Sequence, residues 1–166
     1  MNLLIFDEET IPEELDGLGS YNHSYIQTEL GWKLRQAGDF TILHELSWDV
    51  KSLQDEALRA QFKLELKPDL SVYDSRPKPD FHEDVLRMEE MPRLVIEVLS
   101  PMQSYHVLER KLKAYFALGV ESCWVVLPMV KTITIYKSPK ESTTYNVGQV
   151  AVDDQLGIKL PLSEIF

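Results

Sequence analysis

The chain has one cysteine, Cys123, among 166 residues. A framework of internal disulfides is therefore excluded, and the sequence argues against a zinc site built on thiolates. Within the apolar run "SCWVVL", Cys123 reads as a small buried hydrophobe in a reducing compartment. Long hydrophobic runs are missing too, and none approaches the length of a membrane span. The opening "MNLLIFDEETIPEELDG" has a short apolar patch with acids after it and no basic region before it. It is not expected to act as a signal peptide, and the expected location is the cytoplasm. Basic residues are in short supply, 17 against 27 acidic ones, for a net charge of −10. A surface of that sign does not coat nucleic acid by charge, because phosphate binding draws on Lys and Arg. It leaves room for a local groove that carries a metal. Any affinity for DNA is expected to be weak and to depend on divalent ions.

What is present is ordinary for a globular domain, with 44% hydrophobic and 27% charged residues. No repeat or linker divides the chain, so one domain over 1–166 is expected, with a core at about 20–137 and peripheral strands at 138–166. "SYNHSYIQTELGWKLRQAGD" reads as a helix capped by Ser20 or Asn22. Its core face is Ile26, Leu30 and Leu34, and Gly38 is its stop. "FTILHELSWDV" alternates as a strand, "KSLQDEALRAQFKLEL" as a loop with a helical turn, and "KPDLSVYD" as a short strand. The proline-rich segment "SRPKPDFHEDVLRMEEMP" reads as a long connection with room for one helix. Then come a strand at 93–99, the helix "SYHVLERKLKAYFALG" ended by Gly119, and the strands "SCWVVLP" and "KTITIYK". "TTYNVGQVAV" and "LPLSEIF" read as a peripheral hairpin and a tail strand. A strand, a helix and a second buried strand make a parallel crossover. The class is α/β with a mixed central sheet.

One residue conflicts with its surroundings. Glu97 interrupts "MPRLVIEVLSP", a run that otherwise reads as a buried central strand. A carboxylate there is costly to desolvate unless a cation, a hydrogen-bond network or a metal meets it. Asp69, which opens the strand of "KPDLSVYD", can project from a sheet edge toward it. Two such acids repel one another unless a cation lies between them, and oxygen donors suit magnesium or manganese. On its own, Pro68-Asp69 also reads as a turn cap at a strand start.

The helix after Glu97 supplies a cation. With Leu108 as origin and about 100° per residue, Leu112, Tyr115 and Phe116 fall within about 80° and define the buried face. Lys111 lies on its flank, roughly 60° from the origin, while Lys113 lies roughly 140° away with His106 and Arg110 on the outer side. Lys111 thus leans toward the sheet, either to meet Glu97 or to lay its stem along the helix edge.

Asp69, then Glu97 in "VIEVLSP", then Lys111 in "ERKLKAYFALGVESCWVV" resembles the restriction-endonuclease-like PD-(D/E)xK superfamily. More closely it resembles the bacterial Uma family of restriction endonucleases, once filed as a domain of unknown function. The helix beginning "SYNHSYI" is similar to the family's first helix, which contains a histidine, and the resemblance spans most of 20–137. There are departures. Leu99 stands where the usual lysine would follow the second acid, and Lys111 matches the position from which this family supplies it. Val107 stands where relatives often carry an acid. "PEELDGLGS" is a shortened counterpart of an early strand with a glutamate, leaving Glu45 in "LHELSWDV" as a substitute third acid.

The resemblance implies a Mg2+- or Mn2+-dependent endonuclease acting on DNA as a homodimer. Asp69, Glu97 and the Val98 carbonyl would hold the metal, and Lys111 would orient the attacking water or stabilise phosphorane charge. His23 would line the cleft or simply cap its helix. Two bland readings stand beside this one. The first is an interaction module on an eroded nuclease fold; the second is a structural Glu97–Lys111 ion pair.

Overall fold

The computed structural model describes residues 20–62, 65–76, 78–100 and 104–166. The opening segment "PEELDGLGS" lies outside them, apart from Ser20 at its end. Helix α1 (Tyr21–Ala37) starts where expected, and the Ser20 hydroxyl rather than Asn22 caps it by accepting the His23 amide at 3.2 Å. The stretch 40–50, expected as one strand, is broken. Glu45 has a φ of 49°, in the left-handed region, and separates β1 (Phe40–His44) from β2 (Trp48–Asp49). The one-turn helix α2 (Glu56–Ala60) is capped by Asp55, and β3 (Glu65–Leu66) returns antiparallel to β2. Next come β4 (Leu70–Asp74) and the long connection. That connection has no helix among its described residues and is tied down by a bridge between Trp48 and Met88.

β5 (Leu94–Val98), α3 (Tyr105–Ala117) and β6 (Ser122–Leu127) form the crossover, with β5 and β6 parallel. Gly119, at φ 96°, ends α3. Its amide donates to the Phe116 carbonyl and that of Val120 to the Tyr115 carbonyl, the paired closure that a left-handed residue after a helix allows. β7 (Thr132–Ser138) and β8 (Glu141–Asn146) follow as antiparallel neighbours. The main sheet has six strands in the order β1-β4-β5-β6-β7-β8. It is mixed, because β5 against β6 is its one parallel pair.

The C-terminal segment differs from the expected peripheral hairpin and tail strand. β8 is the edge of the main sheet, while β9 (Val150–Asp153) pairs with β10 (Ile158–Pro161) and the chain closes in a 3-10 turn at Leu162–Glu164. Ala151, Ile158, Leu160, Leu162 and Ile165 are buried with α1 in one apolar layer, so these residues belong to the core. The buried Asp153 carboxylate accepts from Ser122 Oγ at 2.6 Å and Trp124 Nε1 at 2.7 Å, which fixes β9 to β6.

Strand alternation sorts the core into two layers. Leu94, Ile96 and Val98 of β5 and Trp124 and Val126 of β6 face Ile26, Leu30 and Leu34 of α1. Val95, Cys123 and Val125 face Leu108, Leu112 and Tyr115 of α3. Glu97 follows the same period and is therefore turned to the α3 layer.

Candidate active site

Glu97 is 2% exposed, at the centre of the sheet. Its carboxylate is met from α3 by the Lys111 ammonium, at 3.1 Å from Oε1 and 3.0 Å from Oε2. The Tyr115 hydroxyl, one helical turn further on, donates a short hydrogen bond to Oε1. Burial pushes the Glu97 carboxyl above the ordinary range; Lys111 and the Tyr115 hydrogen bond oppose that rise, and the Asp69 charge adds to it. Burial, reinforced by the charge of Glu97, drives the Tyr115 phenol well up, so it remains a donor. Lys113 points away and pairs with Glu109 at 2.8 Å on the exposed side. The helix phase read from the sequence thus separates the two lysines as the structure does.

Asp69 lies just before β4. Leu70 pairs with Ile96 across the antiparallel register, and one further step sets Asp69 opposite Glu97. Its carboxylate is held from two sides through a single oxygen: Oδ2 accepts the Val98 amide at 2.6 Å and lies 3.2 Å from His23 Nε2. The hydrogen bond to Asp69 raises the His23 pKa above 6.5, partial burial opposes it, and the nearby charges of Asp69, Glu45 and Glu97 add to the rise. Asp69 is thus more than a turn cap, and His23 does more than start its helix.

Glu45 is a neighbour only through its backbone. Its amide donates to the Asp69 carbonyl at 3.0 Å, whereas its exposed carboxylate turns outward to Lys67 at 3.3 Å. The left-handed backbone at Glu45 accompanies this turn away from the paired acids. For Val98 the structure shows the amide at work, as the anchor of Asp69.

The donors suit a hard divalent cation. Asp69 takes both contacts through Oδ2, and Glu97 Oε2 meets only the ammonium, so each carboxylate keeps lone pairs to spare. Among the described residues no cluster of three or more His, Cys, Asp and Glu forms a ready-made cage. Two carboxylates still fit magnesium, which is commonly held by one or two of them while water and phosphate oxygens complete the shell.

Sequence reasoning missed two contacts. Tyr115 was counted as packing because its ring belongs to the apolar face; a tyrosine beside a buried acid one turn from its lysine was the available signal. The link from His23 to Asp69 spans two elements distant in sequence, and no local pattern encodes it.

A groove of about 460 Å³ opens beside this cluster, walled in part by His23, Leu99, Tyr105 and Met129.

Comparison with known proteins agrees with the site. The family model Uma2, described as "Putative restriction endonuclease", matches residues 8–163. The crystal structure of a "putative nuclease belonging to DUF820 from Anabaena variabilis ATCC 29413" superimposes with a TM-score of 0.68. At 19% identity the match covers 90% of this chain and 82% of that one, a likeness of fold. No curated protein matches the chain.

Proposed function

Since the chain belongs to the Uma2 family of restriction endonucleases, we propose that it hydrolyses phosphodiester bonds of DNA with Mg2+ or Mn2+. The observation that supports this reading best is the convergence of Asp69, Glu97 and Lys111 at one end of the central strands, where an acid with no packing role is buried beside a lysine. Asp69 and Glu97 would hold the ion, with the Val98 carbonyl as a further ligand. When bound, the ion supplies Lewis-acid polarisation of the scissile phosphate and makes a bound water more acidic.

The remaining work falls to side chains already in place. Lys111 keeps a cation at the carboxylate pair and can orient the attacking water or stabilise charge developing on phosphorus. Tyr115 fixes the rotamer of Glu97 through its hydroxyl. The Val98 amide and His23 fix Asp69.

The protein would act as a single nuclease domain in the cytoplasm. A homodimer would set two such sites about a two-fold axis, the simplest arrangement for cutting both strands. Among the described residues no helix is long and apolar enough to cross a membrane.

Nicking of supercoiled plasmid with Mg2+ or Mn2+, beside an Asp69→Ala control, tests the reading. Nicking that Asp69→Ala abolishes supports it. Equal nicking by both proteins overturns it. A second reading, a catalytically inactive interaction module, is favoured by one observation: two acids converge here, with no third beside them among the described residues. It requires intact plasmid at every metal concentration.

A further inference from the structure

Helix α1 carries two apolar faces. Ile26, Leu30 and Leu34 enter the core. Tyr21, Tyr25 and Trp32 are 81%, 49% and 60% exposed. At about 100° per residue these three lie within about 40° of one another and roughly 160° from the buried face, so core packing does not account for them. The Tyr21 and Tyr25 rings are nearly parallel, 14° apart in plane and 6.4 Å between centroids.

Tyr21 also walls the groove beside the candidate site, together with His23, Leu99, Tyr105, Met129 and Val130. His23 joins the two features, because its imidazole touches Asp69. The aromatic stripe therefore starts at the paired acids and runs away from them along α1. No Lys or Arg lines the groove, so it suits flat neutral rings better than phosphates. Arg35, exposed three residues after Trp32, puts one cation at the far end.

We infer that this face of α1 binds an unpaired stretch of a DNA strand, its bases stacked on Tyr21, Tyr25 and Trp32, and leads it past the groove to Asp69 and Glu97. The inference rests on the nuclease reading for what happens at the end of that path. Bases in a duplex already have their faces covered, whereas an unpaired strand offers every face to a ring. Stacking also needs little positive charge, which suits a protein of net charge −10.

Trp32 provides the readout, since Trp48 and Trp124, the other two tryptophans, are fully buried. An oligothymidylate of about 12 nucleotides, within the span of known single-strand sites, is titrated into full-length protein, wild type in EDTA and Glu97→Gln. Both should show quenching of Trp32 emission, and a duplex of equal length should bind at least about tenfold more weakly. Tyr21→Ala and Tyr25→Ala should each weaken binding on the order of tenfold, and Trp32→Ala should do the same by anisotropy of labelled oligonucleotide. Equal affinity for duplex, or unchanged affinity in all three variants, overturns the inference. So does a dimer that Trp32→Ala turns into a monomer, which would make the stripe a contact between copies. Oligonucleotide binding without plasmid nicking would leave this inference standing while the nuclease reading failed.

Discussion

The amide of Val98 donates to Asp69 Oδ2 across 2.6 Å, so the strand that carries one acid of the site also holds the other. Asp69→Ala should abolish nicking and, by leaving that amide without its partner, cost about 1–3 kcal/mol. Urea unfolding checks the second part. Unchanged stability would show that the bond contributes nothing to folding.

The two lysines should separate sharply. Lys111→Ala removes the cation that meets a fully buried carboxylate, and breaking a buried pair from one side costs about 3–5 kcal/mol. The deficit should be smaller at pH 5 than at pH 8, because the stranded Glu97, already shifted upward by burial, takes up a proton. Nicking should be lost. Lys113→Ala should cost only about 0.3–0.5 kcal/mol, as expected for an exposed pair one helical turn apart. Comparable small losses in both variants would reduce Lys111 to a helix-edge lysine.

Manganese should raise the melting temperature of the wild type by mass action. Glu97→Gln, nearly the same shape without the charge, should lose most of that shift while keeping its far-ultraviolet circular dichroism. An equal shift in both proteins would remove Glu97 from the metal site.

His23 should make stability depend on pH. Its folded pKa stands above 6.5, chiefly through the hydrogen bond to Asp69. A raised folded value means the stabilisation is complete below the unfolded pKa and is lost as pH rises through the folded one. In metal-free buffer, the stability of wild type relative to His23→Gln should therefore decline from about pH 6 toward about pH 8. A difference that grows over that interval would reverse the assignment.

Tyr115→Phe deletes one donor to Glu97 and nothing else. It should cost about 1–3 kcal/mol and lower nicking without abolishing it, since Lys111 and both acids remain. Loss as complete as in Lys111→Ala would give the hydroxyl a larger part than holding a rotamer.

What the sequence made legible was local. The β-branched run around Glu97 marked β5, and the fourfold spacing of Ile26, Leu30 and Leu34 marked α1. The phase of α3 told Lys111 from Lys113 because helix geometry is rigid over two turns. Long-range choices were hidden. β8 and β9 are neighbours in sequence but pair with β7 and β10, and nothing in "TTYNVGQVAV" chooses between a local hairpin and those partners. The break at Glu45 was equally silent, since "FTILHELSWDV" alternates on both sides of it. The grip of His23 on Asp69 depends on α1 and β4 meeting in space.

Glu97 also has a consequence for how the chain reaches its fold. A slip of one residue in β5 would exchange the two faces of the strand. Most of its apolar residues would survive that exchange, because Leu94, Ile96 and Val98 and their neighbour Val95 are similar in kind. Glu97 would not survive it. It would leave Lys111 and Tyr115 and enter a layer made of Leu30, Leu70 and Trp124, where no cation waits. In a strand hydrophobic on both sides, a single carboxylate is the feature that makes the two faces unequal. It acts as a key that admits one alignment of the central sheet, so the molecules that fold are those whose acids already face each other.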